Sequence, residues 1–341
     1  MASITQVAKL AGVSIATVSR YINSPEQVKT KTGTKVAAAI AKTGYSPNSL
    51  AQNFRRGKTG NIVVFITSVG DPFLEGVMRG ISQIAEEKKY NILIQETRSN
   101  TVSFDEYNKM VLSKQADGVI LLAAICPFTA PIARPSESKQ APLIVACESV
   151  SEDLANLPSV RIDNESAAGE ATDYLINLGH KDIAFIYGSS DSTLTLDRER
   201  GYKKAMKIAK LPIADDWIVE GGLSLAGARK ATRKLLNHST PPTAIFCAND
   251  EMAIACMHQI KTSGLSVPQD ISVVGFDDIR YAEVQDPPLT TIAQPAEEIG
   301  ERTILRLLKA IEGGDIGQNT EVVPHKLVIR QSAARPPKKR K

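Results

Sequence analysis

Residues 3–24 read SITQVAKLAGVSIATVSRYINS, and this stretch decides the architecture of the first domain. Ile4, Val7, Ala8 and Ala11 recur at the spacing of one helix face. Ser3, with Gln6 three residues on, makes a capping box at the start of that helix. Gly12 breaks the pattern, and Ser14 then stands as N-cap of a second helix, Ile15 to Ile22, whose Val18 and Ile22 face the first. Two short helices around a glycine-bearing turn form a helix-turn-helix. A third helix over 32–43, with Val36, Ala39 and Ile40 on its apolar face and Gly44 at its end, completes a three-helix core.

Charge points the same way. Residues 1–60 hold nine Lys/Arg against one acid, a net of +8 in a chain whose total is +4, so the remaining 281 residues carry −4. One end of the chain suits a polyanion and the body does not. In a helix-turn-helix the second helix enters the major groove and turns its N-terminal residues toward the base edges. Arg20 suits a bidentate contact to guanine, and Ile15 and Ala16 offer apolar surface to a thymine methyl. Thr17, Ser19, Asn23 and Tyr45 are placed to hold phosphates and set the register. A small helical bundle with an unused surface, or a protein-binding module, is the competing reading; the excess of base over acid speaks against both.

ITQVAKLAGVSIATVSRYIN, followed by GYSPNSLAQNFRRGKT from Gly44, resembles the DNA-binding domain and hinge of the lactose-repressor (LacI/GalR) family. The resemblance implies a hinge helix that forms in the minor groove when a dimer binds its operator. Ser46 would be its N-cap, Pro47 its first residue and Gly57 its end. Phe54 stands where the family usually has a leucine that wedges between base pairs and kinks the DNA. Thr5, Asn48 and Arg55 complete the DNA-contacting set. GKT at Gly57 to Thr59 is not a phosphate-binding loop, because Gln52 occupies the place of the first glycine and a strand follows the motif instead of preceding it.

From Asn61 onward, short apolar runs alternate with amphipathic helices: Ile62–Thr67, Ile92–Gln95, Val119–Ala123 and Leu143–Cys147, then Ile183–Tyr187, Ile218–Glu220, Ala244–Cys247 and Ile271–Phe276. Two such sets predict an α/β effector domain of two lobes, each a doubly wound parallel sheet. The expected division is 1–45 for the helix-turn-helix, 46–60 for hinge helix and linker, and 61–330 for the effector and dimerisation domain. Within the last, lobe 1 takes 61–160 and 293–320, and lobe 2 takes 161–292 and 321–330. The basic run at 331–341 is expected to be a disordered tail.

Ligands of open parallel sheets sit beyond the carboxyl ends of the strands. The residues there include Asp71, Phe73, Phe128, Asp163, Arg198 on the loop after Tyr187, Asn249, Asp250, Asp277 and Asp278. One arginine among carboxylates and amides suits a neutral, hydroxyl-rich ligand. Asp71 and Asp250 also read as helix N-caps, Asp278 as a partner for loop backbone, and Phe73 and Phe128 as core. DPF at Asp71, RERGY at Arg198, CANDEMA at Cys247, VPQDISVVGFDD at Val267 and DPPLTTIAQP at Asp286 resemble the regulatory domain of the same family, similar in fold to periplasmic sugar-binding proteins. The resemblance implies effector contacts at Phe73, Asp163, Arg198, Asn249 and Asp277. CPF at Cys126 and LPSVRIDN at Leu157 are similar to a nucleoside-responsive branch of the family. Leu223 departs from the ligand-stacking aromatic of many relatives, which leaves stacking to Phe73 or Phe128.

No catalytic constellation stands out. His180, His238, His258 and His325 are scattered, without a metal-ligand spacing, a nucleophile elbow or a dinucleotide loop. Cys126, Cys147, Cys247 and Cys256 lie in apolar stretches with no CxxC pair. The expectation is a non-enzymatic, cytoplasmic transcription regulator without metal or cofactor and without a membrane segment, a repressor in its simplest form. Its partners would be double-stranded operator DNA, a second copy of itself, and a nucleoside or sugar effector that acts as inducer or corepressor. A sugar-binding protein with no DNA function is the rival, and the basic helix-turn-helix argues against it.

Overall fold

A computed structural model describes residues 2–46, 58–96, 113, 115–122, 142–147, 157–189, 192–317 and 319–337. The expected hinge helix with Asn48, Phe54 and Arg55 lies outside them, as does Phe128. The chain divides into two compact units, 1–59 and 60–341.

The first unit is built by its caps. Helix α1 (Ile4–Ala11) opens on the reciprocal bonds of the capping box: Ser3 Oγ accepts the Gln6 N–H, and the Gln6 side chain accepts the Ser3 N–H at 2.8 Å. Gly12 ends it at φ +65°, a left-handed conformation that a glycine adopts without strain. Ser14 caps α2 (Ile15–Asn23) through the Thr17 N–H at 3.1 Å. Helix α3 (Thr30–Thr43) starts two residues before the expected position 32, with Lys29 at its N-cap, and stops at Gly44. Val7, Ala8, Ala11, Val18, Val36 and Ala39 form the core.

The second unit holds two six-stranded sheets. The first contains β1 (Asn61–Ile66), β2 (Asn91–Glu96), β3 (Gly118–Leu122), β4 (Leu143–Ala146), β5 (Ser159–Arg161) and β11 (Thr320–Val322), in the order β11-β5-β4-β3-β1-β2, parallel throughout. The second contains β6 (Ile183–Tyr187), β7 (Ile218–Glu220), β8 (Ala244–Cys247), β9 (Ser272–Asp277), β10 (Thr290–Ala293) and β12 (Lys326–Val328), in the order β12-β10-β9-β8-β6-β7, and only β12 runs antiparallel. Helices α4 (Pro72–Glu87) and α9 (Ala296–Ile311) pack together on the first sheet. A Cβ on Gly300 would overlap the Val77 carbonyl, and one on Gly80 the Glu297 carbonyl, so these glycines set how closely the two helices approach. On the second sheet, α5 (Asn164–Leu178) pairs with α6 (Thr193–Ile208), and α7 (Leu225–Leu236) pairs with α8 (Asp250–Thr262). Its aromatic core stacks Phe185 between Tyr202 (5.3 Å) and Phe246 (5.1 Å). Among the described residues the chain crosses between the sheets three times: at 161–164 after β5, at 293–296 after β10, and at 323–325 between β11 and β12.

Two expectations need correction. The run assigned to a disordered tail from 331 is instead bound to the second sheet as far as its first residues: Ser332 is fully buried, and its hydroxyl accepts the Thr290 N–H (2.8 Å) while donating to the Val273 carbonyl (2.6 Å). Ala334 continues the contact through Ser272 Oγ and His180. Composition pointed to disorder, but the free backbone groups at the sheet's end recruit this segment. Likewise Asp250 does not cap α8; Asn249 does, through the Met252 N–H at 2.9 Å. Asp250 is fully buried and ties the loop after β9 to β10, accepting from the Ile279 N–H (2.9 Å) and from Thr291 Oγ1 (2.6 Å). Burial pushes its carboxyl up to about 7.

Ser332→Ala should therefore cost about 1 to 3 kcal/mol, the penalty for leaving two buried backbone groups unpaired; a loss below about 0.5 kcal/mol in chemical denaturation would return this segment to the tail. For Asp250, the folded state keeps its proton to a higher pH than the unfolded chain does, so stability drains away as pH rises from about 4 toward 7, by up to about 4 kcal/mol for a shift of about three pKa units. Asp250→Asn offers one acceptor and one donor to the same neighbours without the charge. It should match the parent near pH 4 and exceed it above pH 7, as read from paired denaturation curves; parallel curves at all pH values would remove Asp250 from the account.

Candidate functional site

Two surfaces carry chemistry, one on each unit. On α2 the buried side is Val18, with Tyr21 and Ile22 partly covered, and the solvent side is the stripe Ile15, Ala16, Arg20 and Asn23, with Ser19 half-exposed between them. Ile15 is 47% exposed, a large apolar side chain left in water at the leading end of the helix. Arg20 projects without an acidic neighbour on its helix. Thr5 is exposed at the start of α1. Three of the expected phosphate ligands have other duties too: Thr17 Oγ1 shares a hydrogen bond with Ser14 Oγ (2.9 Å), Asn23 Nδ2 donates to the Ser19 carbonyl (2.8 Å), and Tyr45 packs on the core. Lys29, Lys31 and Lys35 add exposed positive charge at the start of α3, a contribution that motif reading passed over because single lysines carry no pattern.

The second surface is a cleft between the strand ends of the two sheets. From the first sheet's side come Thr67, Asp71, Phe73, Leu74, Leu122 and Cys147; from the second come Leu194, Arg198, Leu223, Asn249 and Asp277, and Gln294 from the crossing after β10. Phe73, Arg198, Asn249 and Asp277 thus meet as expected. Asp163 does not join them. It is exposed and caps α5 through the Ser166 N–H at 3.0 Å, so its carboxylate serves the helix. Gln294 went unrecognised, although it follows the end of β10 and the strand-end rule would have found it.

Arg198 also departs from its expected setting. It lies in the second turn of α6, not on a loop, and is 3% exposed. Its Nε donates to Asn164 Oδ1 (2.9 Å), its Nη1 to the Ala248 carbonyl, and its guanidinium covers the Phe276 ring at 3.7 Å. Nη2 stands 3.7 Å from Asp277 Oδ1, a loose ion pair. Arg198 therefore binds the second lobe together as well as facing the cleft.

Burial pushes the Asp277 carboxyl well above the ordinary range, helped by Asp250 and Asp71, while Arg198 and the Gln294 amide pull the other way. Burial raises Asp71 as well, against its own backbone bonds from Phe73 and Leu74. Acids held in this way suit neutral hydroxyl groups better than cations. The backbone is strained at the same place: Cys147 (φ +70°), Leu223 (φ +49°) and Asp277 (φ +112°) all take left-handed conformations uncommon for their residue types, and all three line the cleft. Leu223 does so in a tight turn with Gly222, closed by the Ser224 N–H on the Gly221 carbonyl.

Comparison with known proteins finds a family for each unit. The family described as bacterial regulatory proteins, lacI family, matches residues 3–48, and the periplasmic binding protein-like domain matches residues 172–333. The chain is 36% identical over 331 residues to the HTH-type transcriptional repressor CytR of Escherichia coli (strain K12), covering 97% of this chain and 96% of that one. It is 35% identical to catabolite control protein A of Priestia megaterium, over 97% and 98% of the two chains. Among solved structures, the lac repressor dimer bound to operator and the anti-inducer ONPF is similar with a TM-score of 0.83 at 28% identity, over 98% of this chain and 99% of that one. The transcriptional regulator CelR–cellobiose complex is similar with a TM-score of 0.70 at 27% identity, over 97% and 100%. The chain belongs to the lacI family of bacterial regulatory proteins and is a DNA-binding transcriptional regulator whose action is modulated by an effector.

Proposed function

We propose that this protein is a homodimeric repressor that reads a two-fold operator with α2 and is controlled by a nucleoside held in the cleft. The observation that supports the control is the meeting of Arg198, Asn249, Asp277 and Phe73 at one cavity, a set that offers donor, acceptors and an apolar face to a ribose and its base. The likeness of its sequence to a nucleoside-responsive branch favours a nucleoside over a free sugar. The cavity measures about 60 Å³, room for about two waters and well short of the roughly 300 Å³ or more of a ligand site. A nucleoside enters only if the lobes move apart, and this couples binding to lobe angle, with reciprocal linkage to the operator. A protein that works on operator DNA acts in the cytoplasm, and no described helix is long and apolar enough to cross a membrane.

On the DNA side, Arg20→Ala should cost about 1 to 3 kcal/mol on a selected operator and relax base preference at one position per half-site. Log affinity should fall steeply with log salt as phosphate contacts release counterions. Equal loss on all sequences would make Arg20 a phosphate contact, and a flat salt plot would sink the DNA reading.

On the effector side, thermal shifts should single out one of cytidine, adenosine and uridine over D-ribose and D-glucose. Ligand at a hundred times its Kd adds about 2.7 kcal/mol. Asp277→Asn, which can keep an acceptor for Gln294, should abolish that shift with little change in the unliganded melting temperature. Arg198→Ala should lower the unliganded melting temperature as well, because it strips partners from a buried network. A nucleoside shift that survives Asp277→Asn would refute the site; a shift with monosaccharides alone would replace the nucleoside.

A further inference from the structure

Buried polar atoms without a hydrogen-bond partner are few in a folded protein, and each calls for a reason. Among the described residues they are Arg161 Nε, Asn164 Nδ2, Thr195 Oγ1, Trp217 Nε1 and Gln294 Oε1. Three of the five sit on the crossings between the sheets, Arg161 and Asn164 on that after β5 and Gln294 on that after β10. Both amides are almost fully buried, Asn164 at 0% and Gln294 at 6% exposure.

Each amide spends its other atom on one member of the Arg198–Asp277 pair in the cleft. Asn164 Oδ1 accepts from Arg198 Nε at 2.9 Å, and Gln294 Nε2 donates to Asp277 Oδ1 at 2.7 Å. Arg198 and Asp277 face each other at 3.7 Å. The four side chains thus form one line that runs from the first crossing, across the base of the cleft, to the second. Turning the Asn164 amide over would set its NH2 against the Arg198 N–H, donor to donor, so its orientation is fixed by its neighbour. The third crossing meets the first through its backbone, the Val323 N–H donating to the Arg161 carbonyl at 2.9 Å, while its His325 side chain pairs with Glu170 at 3.0 Å, away from the cavity.

We infer that Asn164 and Gln294 are positioning residues that fasten the effector-facing pair Arg198 and Asp277 to two of the three inter-lobe crossings, so that the pair and the crossings move together. The inference rests on the reading of the cleft as the effector site. The Nδ2 and Oε1 left without a protein partner fit it, because a donor and an acceptor buried at the pivots are groups whose bonds are completed by a water, by a ligand or in another lobe angle. Neither residue needs to touch the effector for this role.

The test needs no effector. In the full-length dimer, backbone hydrogen exchange is followed by mass spectrometry at peptides covering 161–166 and 292–297. Asn164→Leu should speed exchange at the distant 292–297 peptide by about threefold or more, and Gln294→Met should do the same at 161–166. His325→Gln, on the crossing outside the line, should change neither. Changes confined to each variant's own crossing would overturn the inference. If a variant exchanges faster throughout both sheets, Asn164→Asp decides: it keeps the acceptor for Arg198, and 292–297 should then exchange as in the parent, whereas acceleration there would overturn the inference. Repeating the experiment with cytidine separates the two readings. A parent protein unmoved by cytidine but showing the cross-effects would lose the nucleoside and keep the line.

Discussion

A buried guanidinium holds together the end of the second lobe that faces the cleft. Arg198 rises from α6 and reaches α5 through Asn164, the residue after β8 through the Ala248 carbonyl, and β9 through Asp277 and the Phe276 ring. A charge so far from water is tolerable only while its partners stay in place. The second-lobe elements that meet at the cleft are therefore tied to one another through a single side chain. Asp277 sits in a strained conformation beside it, Gln294 holds Asp277 from behind, and Asn249 caps the neighbouring helix. A site of this kind is rigid within the lobe, which leaves the crossings between lobes as the place where motion is absorbed.

What could be read from the sequence follows from how local the chemistry is. The three-helix unit was legible to within two residues because its signals are contained in single turns: Ser3 with Gln6, Ser14, Gly12 and Gly44. Strand positions were legible because buried parallel strands are continuous apolar runs, and β6, β7 and β8 came out residue for residue. Arg198 was placed on a loop because TLTLDRERGYKK has little apolar periodicity; a Ser192 cap and burial of Tyr202, Ala205 and Met206 make it helical nonetheless. Asp163 and Asn249 each stand one residue before a helix, where a polar side chain reads equally well as cap and as ligand. Only the folded chain separates them, by putting Asn249 in the cleft wall and Asp163 in water.

Long-range partnership was the part no local signal could carry. Asp250 was read as a cap from its place at a helix start, but its role is set by Thr291 and Ile279, which lie far along the chain. Gly275 leaves the space that Asp250 fills; a Cβ there would overlap the carboxylate. Ser332 reads as part of a tail because the basic run from Arg335 follows it, yet it supplies what Thr290 and Val273 lack. In each case a polar residue is explained by an unpaired group elsewhere, and that group becomes visible only when the sheet is assembled.

The docked C-terminal segment has a consequence for how the chain is made. Chains emerge from the ribosome N-terminus first, and domains fold as they become complete. The first unit has its own core within the first 45 residues. Neither lobe of the second can finish so early: the first sheet waits for β11 at 320–322, and the second waits for β12 and for Ser332. Throughout most of synthesis, then, the polypeptide carries a formed DNA-reading head on an unfinished sensor. Both sensor lobes are completed by residues 320–332, at nearly the same moment. A fragment that stops before β11 would bear the head without the means to regulate it, so control requires synthesis to pass β12 and Ser332.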